Sequence, residues 1–302
     1  MTDRPGPSMH PGPVGPIAFF DSGVGGLPYL AAARHVLPGQ RFVYLADRTG
    51  FPYGVKSRDE VATLAVGAIR SLILKEHPCA VVVACNTATQ HAIGDIRAAF
   101  PDIPVIGTVP AIKPAASMTR TGCIAVVATP GAAASTYLTG LAARWAPDCR
   151  VVRYGDGGLV EFVERQFLTS TPGQRLDAIR PSTEAAMREG ADVLVLGCTH
   201  FLHVADDFAA LAGSAMTITD SRQGVTARLV SIVGRDRQSD CVGCPDVPSG
   251  TAVSAGSGTV VRPDAMYLTG TDAFGPIYEA FASKFGLMPA GTLVPVYDGN
   301  SP

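Results

Sequence analysis

An α/β fold, built as two similar, doubly wound lobes of parallel sheet, is what this sequence predicts, and three observations carry it. Short β-rich runs alternate with longer stretches of helical spacing. Several runs are apolar on both faces, as strands buried in a helix-covered parallel sheet must be. One strand–cysteine–helix pattern occurs twice, in VVVACNTAT at 81–89 and VLVLGCTHF at 193–201. Its two copies lie about one domain length apart, and 302 residues suffice for two domains.

Taken in order, residues 1–16 hold five prolines and three glycines without the apolar stretch of a signal peptide, and read as a disordered tail. Strands are expected at Ile17–Asp21, Phe42–Ala46, Val81–Ala84, Val105–Thr108, Ile124–Thr129, Val151–Tyr154, Val193–Leu196 and Met216–Thr219. Between them, Ala92, Ile93, Ile96, Ala99 and Phe100 share one helical face, as do Phe201, Val204, Phe208 and Leu211. Residues 236–263, rich in Gly, Ser and Pro and without apolar period, read as a flexible insertion. A helix over 275–285 follows it.

Composition excludes several classes of function. A net charge of −2, with 24 scattered Lys and Arg, provides no positive field for nucleic acid or an anionic membrane. The apolar runs fall far short of the ~20 residues needed to cross a bilayer. Seven cysteines are too few for a disulfide scaffold of this length, and the expectation is a cytoplasmic protein. Cys241 and Cys244 form a lone C-x-x-C, and without a second pair they read as surface thiols instead of a zinc site.

The repeated element carries the chemistry. Ligands of open α/β sheets bind beyond the carboxyl ends of strands, where Cys85 and Cys198 both fall. Each thiol would sit at a helix N-terminus, which favours thiolate. Either cysteine alone reads as a small buried hydrophobe. Two in the same context point to a pair, one removing a proton and the other supplying one across a stereocentre. A redox couple places its sulfurs closer in sequence, as in C-x-x-C.

Asn86, Thr87 and Thr199 suit a carboxylate, and Asp21, at the head of DSGVGG beside Ser22, suits an ammonium. The glycines of that motif allow close approach of a ligand. It is not a phosphate loop, since Pro28 breaks G-x-G-x-x-G. His200 can orient or protonate a neighbour of Cys198, or serve only in packing. Tyr53 and Gly54 form a turn or line a pocket.

With these residues assembled, the chain resembles the glutamate racemases of the aspartate/glutamate racemase superfamily. The resemblance rests on FFDSGVGGL at 19–27, PYGVKS at 52–57, VVACNTAT at 82–89, GTVPAIKPA at 107–115, VVATPGAAASTY at 126–137, VLVLGCTHF at 193–201 and TDS at 219–221, in that order. It implies Cys85 and Cys198 as paired acid/base residues, assisted by Asp21, His200 and Glu164. It implies Asp21, Ser22, Tyr53, Gly54, Asn86, Thr87, Thr199 and His200 as substrate contacts.

The same resemblance implies an active site between two lobes: residues 17–112 with 213–302 form one, and residues 113–212 the other. It further implies no cofactor, no metal, a homodimer, and supply of D-glutamate for peptidoglycan. Aspartate or another amino acid as substrate, a non-catalytic amino-acid-binding module, and a thiol redox or metal protein are the competing readings.

Overall fold

The structure is a computed structural model that describes residues 15–239 and 262–297. The expected tail up to residue 14 and residues 240–261 of the expected insertion, with Cys241 and Cys244, lie outside the described residues. What is described at the margins is ordered differently from expectation. Pro16 accepts a hydrogen bond from the Cys79 amide at 3.0 Å, and the helix Arg222–Ser239 runs into the segment read as insertion.

Among the described residues ten strands form two sheets: β1 Ile17–Asp21, β2 Phe42–Ala46, β3 Ala80–Val83, β4 Val105–Gly107, β5 Cys123–Ala128, β6 Arg150–Gly155, β7 Val193–Leu196, β8 Thr217–Thr219, β9 Ala265–Thr269 and β10 Met288–Leu293. The first sheet has the order β10-β9-β2-β1-β3-β4 and the second β6-β5-β7-β8. Every pairing is parallel. Parallel neighbours need crossovers, which the intervening helices supply.

The run IAFFD of β1 is buried at every position because helices cover both faces. Ala18 and Phe20 face one core with Ala68, Ile69 and Leu72 of the helix Arg58–Glu76, and with Ala92 and Ile96 of the helix Asn86–Ala99. Ile17 and Phe19 face the other core, which continues into the second lobe through Ala125, Val127, Leu194 and Leu196. The far face of the second sheet packs Ile124, Val126, Val193 and Val195 against Ile112 and Leu138. Each lobe is therefore doubly wound, and one core runs between them.

The eight expected strands are present, three with the expected bounds and five with ends shifted by one residue. Two more were not expected. β9 (AMYLT) pairs with β2. β10 (MPAGTL) carries Pro289 and Gly291, residues that argue against a central strand, and it lies at the sheet edge with a register shift between Pro289 and Thr292. The expected lobe boundary at 212/213 is also displaced, because β8 pairs with β7 and belongs to the second sheet.

Strand order reverses beside β1 in the first sheet, whose neighbours are β2 and β3, and beside β5 in the second, whose neighbours are β6 and β7. Crevices open at such switch points. The loops after β1 and β3 begin with Ser22 and Ala84, and those after β5 and β7 with Thr129 and Gly197. Cys85 and Cys198 follow directly.

Candidate active site

A cavity of about 260 Å³ lies where these loops meet. Ser22, Tyr53, Gly54, Cys85, Asn86, Thr87, Cys198, Thr199 and His200 line it, so nine residues expected at the site share one cavity. Asp21 and Glu164 do not line it; they are buried behind it, at 0% and 2% exposure. Thr129, Pro130, Phe51, Val160 and Glu161 are among the other lining residues and were not singled out as site residues, although Thr129 and Pro130 lie inside the ATPG run at the end of β5.

Cys85 is the N-cap of the helix Asn86–Ala99, and its sulfur accepts the Ala88 amide at 3.5 Å. The backbone N–H groups that open this helix have no intrahelical acceptor. Both polar atoms of the Asn86 side chain are buried and, among the described residues, lack hydrogen-bond partners. A buried amide without partners costs roughly 1–3 kcal/mol unless something fills its place. Asn86 is thus prepared for a polar ligand.

Expectation and structure differ at the Cys85 thiol. Burial, reinforced by the negative Asp21, pushes it well above the usual thiol range, outweighing the amides of Ala88 and Ser22 that favour thiolate. Cys85 rests as the protonated thiol, with the Ser22 hydroxyl 3.8 Å from its sulfur.

Cys198 follows β7 and precedes a 3-10 helix, Thr199–Val204, before the α-helix Ala205–Ala212. The single amphipathic helix expected after it is therefore split. Its sulfur lies 3.9 Å from Nδ1 of His200, whose Nε2 donates to Oε2 of Glu164 at 2.9 Å. Burial opposes a charge on His200, yet its bonds to Cys198 and Glu164 prevail and raise it well above the usual imidazole range. Burial likewise works against the Glu164 carboxylate, but His200, the Val24 amide and Tyr278 hold it below the usual range. The result is a buried imidazolium–carboxylate pair beside one thiol only.

Asp21 is the counterpart near Cys85. Thr199 Oγ1 donates to its Oδ2 at 2.8 Å and Ser22 Oγ to its Oδ1 at 3.2 Å. Burial pushes its carboxyl up to about 6, against the pull of His200 and Thr199. Ser22 and Thr199 both line the cavity and both bond Asp21, so a cation there meets Asp21 through those hydroxyls.

The glycines of DSGVGG serve this network instead of approaching a ligand. A Cβ on Gly23 would collide with the Glu164 carboxylate, and one on Gly25 would lie 2.5 Å from His200 Nδ1. On the opposite wall, Tyr53 presents its ring, because its hydroxyl donates to Asp47 Oδ2 at 2.6 Å. Asp47 also accepts from Thr269 on β9 at 2.6 Å. The Phe51 ring tilts over His200 with centroids 5.8 Å apart.

A family model described as Asp/Glu/hydantoin racemase matches residues 29–223. The chain belongs to that family. Among members of the Asp/Glu/hydantoin racemase family, it is similar to proteins named glutamate racemase from Roseiflexus sp., 41% identical over 218 residues that span 72% of this chain and 79% of that one, and from Sphingopyxis alaskensis, 40% identical over 74% and 84%. Among solved structures it resembles Escherichia coli glutamate racemase, described in complex with L-glutamate and the activator UDP-MurNAc-Ala. The TM-score is 0.77 at 28% identity, covering 93% of this chain and 99% of that one.

Proposed function

We propose that this chain is a glutamate racemase that interconverts L- and D-glutamate, with Cys85 and Cys198 as proton carriers on opposite faces of Cα. The observation that carries this reading is the pair of thiols lining one small cavity beside the unpartnered Asn86 amide. A binding module has no need of two thiols in that position. The similarity to curated glutamate racemases supports the substrate.

In one direction the Cys198 thiolate takes the Cα proton while the Cys85 thiol gives one to the other face, and in the reverse direction the roles exchange. His200 steadies negative charge at Cys198 and Glu164 steadies His200. For the direction in which Cys85 acts as base, the substrate's ammonium offsets the Asp21 charge that disfavours its thiolate. Asn86, Thr87 and the helix start hold the α-carboxylate, where charge develops as Cα–H is broken, and the water-poor cleft strengthens these bonds. Asp21 acts on the ammonium through Ser22 and Thr199.

No helix among the described residues is long and apolar enough to cross a membrane. The reading includes a cytoplasmic homodimer that supplies D-glutamate for peptidoglycan. The test is circular dichroism of the purified protein with each enantiomer of glutamate, and of aspartate, without added cofactor. Decay of the signal from both glutamate enantiomers is the expected result. Activity on aspartate alone overturns the substrate, and no decay with either overturns the reaction.

A further inference from the structure

We propose that Tyr278, on the helix Pro276–Lys284, is a positioning residue for proton transfer: its hydroxyl holds Glu164, and through it His200, in place beside Cys198. The proposal rests on the roles of Cys198 and His200 given above.

Glu164 is a buried carboxylate gripped from two lobes. Its Oε2 takes the His200 ring at 2.9 Å from its own lobe and the Val24 amide at 2.9 Å from the first. Its Oε1 takes the Tyr278 hydroxyl at 2.7 Å, its one hydrogen-bond partner among the described residues. Without that hydroxyl, Oε1 would be left buried and unpaired, and the carboxylate would be held through Oε2 alone, pivoting about that oxygen. A carboxylate that must orient an imidazole needs both oxygens fixed.

The surroundings keep Tyr278 a donor. Burial, reinforced by Glu164, pushes its hydroxyl well above the usual phenol range, against the nearby Arg48 and Arg165. The other groups that face the His200–Glu164 pair are Asp21, Cys198, Tyr44 and His203, the last held down to about 4 by burial and influenced by Lys284. None of these donates to Oε1.

The sign of the pH effect follows. Donors lower the Glu164 carboxyl, so removing one raises it, and the carboxylate form is lost at a higher pH as acidity increases. The acid limb of activity therefore moves up.

The test is Tyr278→Phe in the full chain, alone and combined with Glu164→Gln. Expected for Tyr278→Phe is a loss of about tenfold in kcat/KM, the scale of one hydrogen bond to a charged group. Because the two enantiomers are equally stable, that loss is the same from either side. The asymmetry appears instead in the Cα-deuterium isotope effect, which grows only in the direction in which Cys198 takes the proton. The acid limb rises by about half a pH unit. In the Glu164→Gln background, the same substitution adds no further loss. An unchanged pH profile, with or without a lower Tm, or a full additional loss in the Gln background, overturns the proposal. A wild-type protein that racemises no amino acid overturns the proposed function instead.

Discussion

Thr199 donates to Asp21 at 2.8 Å across the two lobes, so the residue after one thiol is bonded to the carboxylate beside the other. The two halves of the site are thereby mechanically joined. Asp21 feels His200 and Glu164 electrostatically as well as Thr199, which makes its burial a property of the assembled lobes.

Replacing either thiol separates the two half-reactions. Cys85→Ser or Cys198→Ser should each lower racemisation on the order of 10³-fold, as removal of a general acid or base does. Cα–H exchange in D2O, followed by proton NMR, should persist slowly for one enantiomer in each variant, and for opposite enantiomers in the two. Undiminished racemisation by Cys85→Ser would remove the two-thiol mechanism.

The raised Asp21 carboxyl has a defined pH signature. Folding lifts it from 3.8 to about 6, so between those values the folded chain binds more protons than the unfolded chain, and stability falls as pH rises. The penalty is absent below ~pH 4 and complete above ~pH 6, amounting to about 3 kcal/mol. Asp21→Asn lacks it. Urea unfolding at several pH values should show the variant gaining that amount relative to wild type across the window, and parallel curves would contradict the assignment.

Gly25 leaves no room for a methyl group beside His200. Gly25→Ala should cost about 1–3 kcal/mol, typical of overpacking, and lower kcat by shifting the ring from Cys198. Thermal melting with racemisation kinetics checks both. Retention of full kcat would mean that the ring's position is not critical.

Asp47 gathers hydroxyls from Tyr53, Thr49 and Thr269 and the amide of Gly50. Asp47→Ala leaves several buried donors unpaired and should cost about 3 kcal/mol. Tyr53→Phe should cost less, and its KM should change little, because the ring and not the hydroxyl faces the cavity. A large KM increase in Tyr53→Phe would show that the hydroxyl turns to substrate.

Strands β1, β2, β3, β5 and β7 were legible because parallel strands covered on both faces must be apolar on both, and that signal is local. β6 and β8, half-buried at the edges of the second sheet, were legible from short β-rich runs alone. β10 was not, since its edge position tolerates the Pro and Gly that elsewhere argue against a strand. The cysteines were legible through their repeated strand-end context. The direction of the Cys85 shift was not, because sequence reveals the helix start but not the burial and the Asp21 charge that outweigh it. Glu164 was legible only by resemblance, and Tyr278 and Asp47 as supports not at all. Their partners lie 114 and 222 residues away, distances over which no spacing rule operates.

The hold of Thr269 on Asp47, and so on the Tyr53 wall, sets an order of events during synthesis. Both thiols leave the ribosome long before β9 does, yet Asp47, which holds the wall opposite them, lacks its Thr269 partner until β9 emerges. A nascent chain halted before that point would expose two cysteines without a finished pocket. The last contact to Asp47 is thus made near the end of translation, when β9 closes on the first third of the chain.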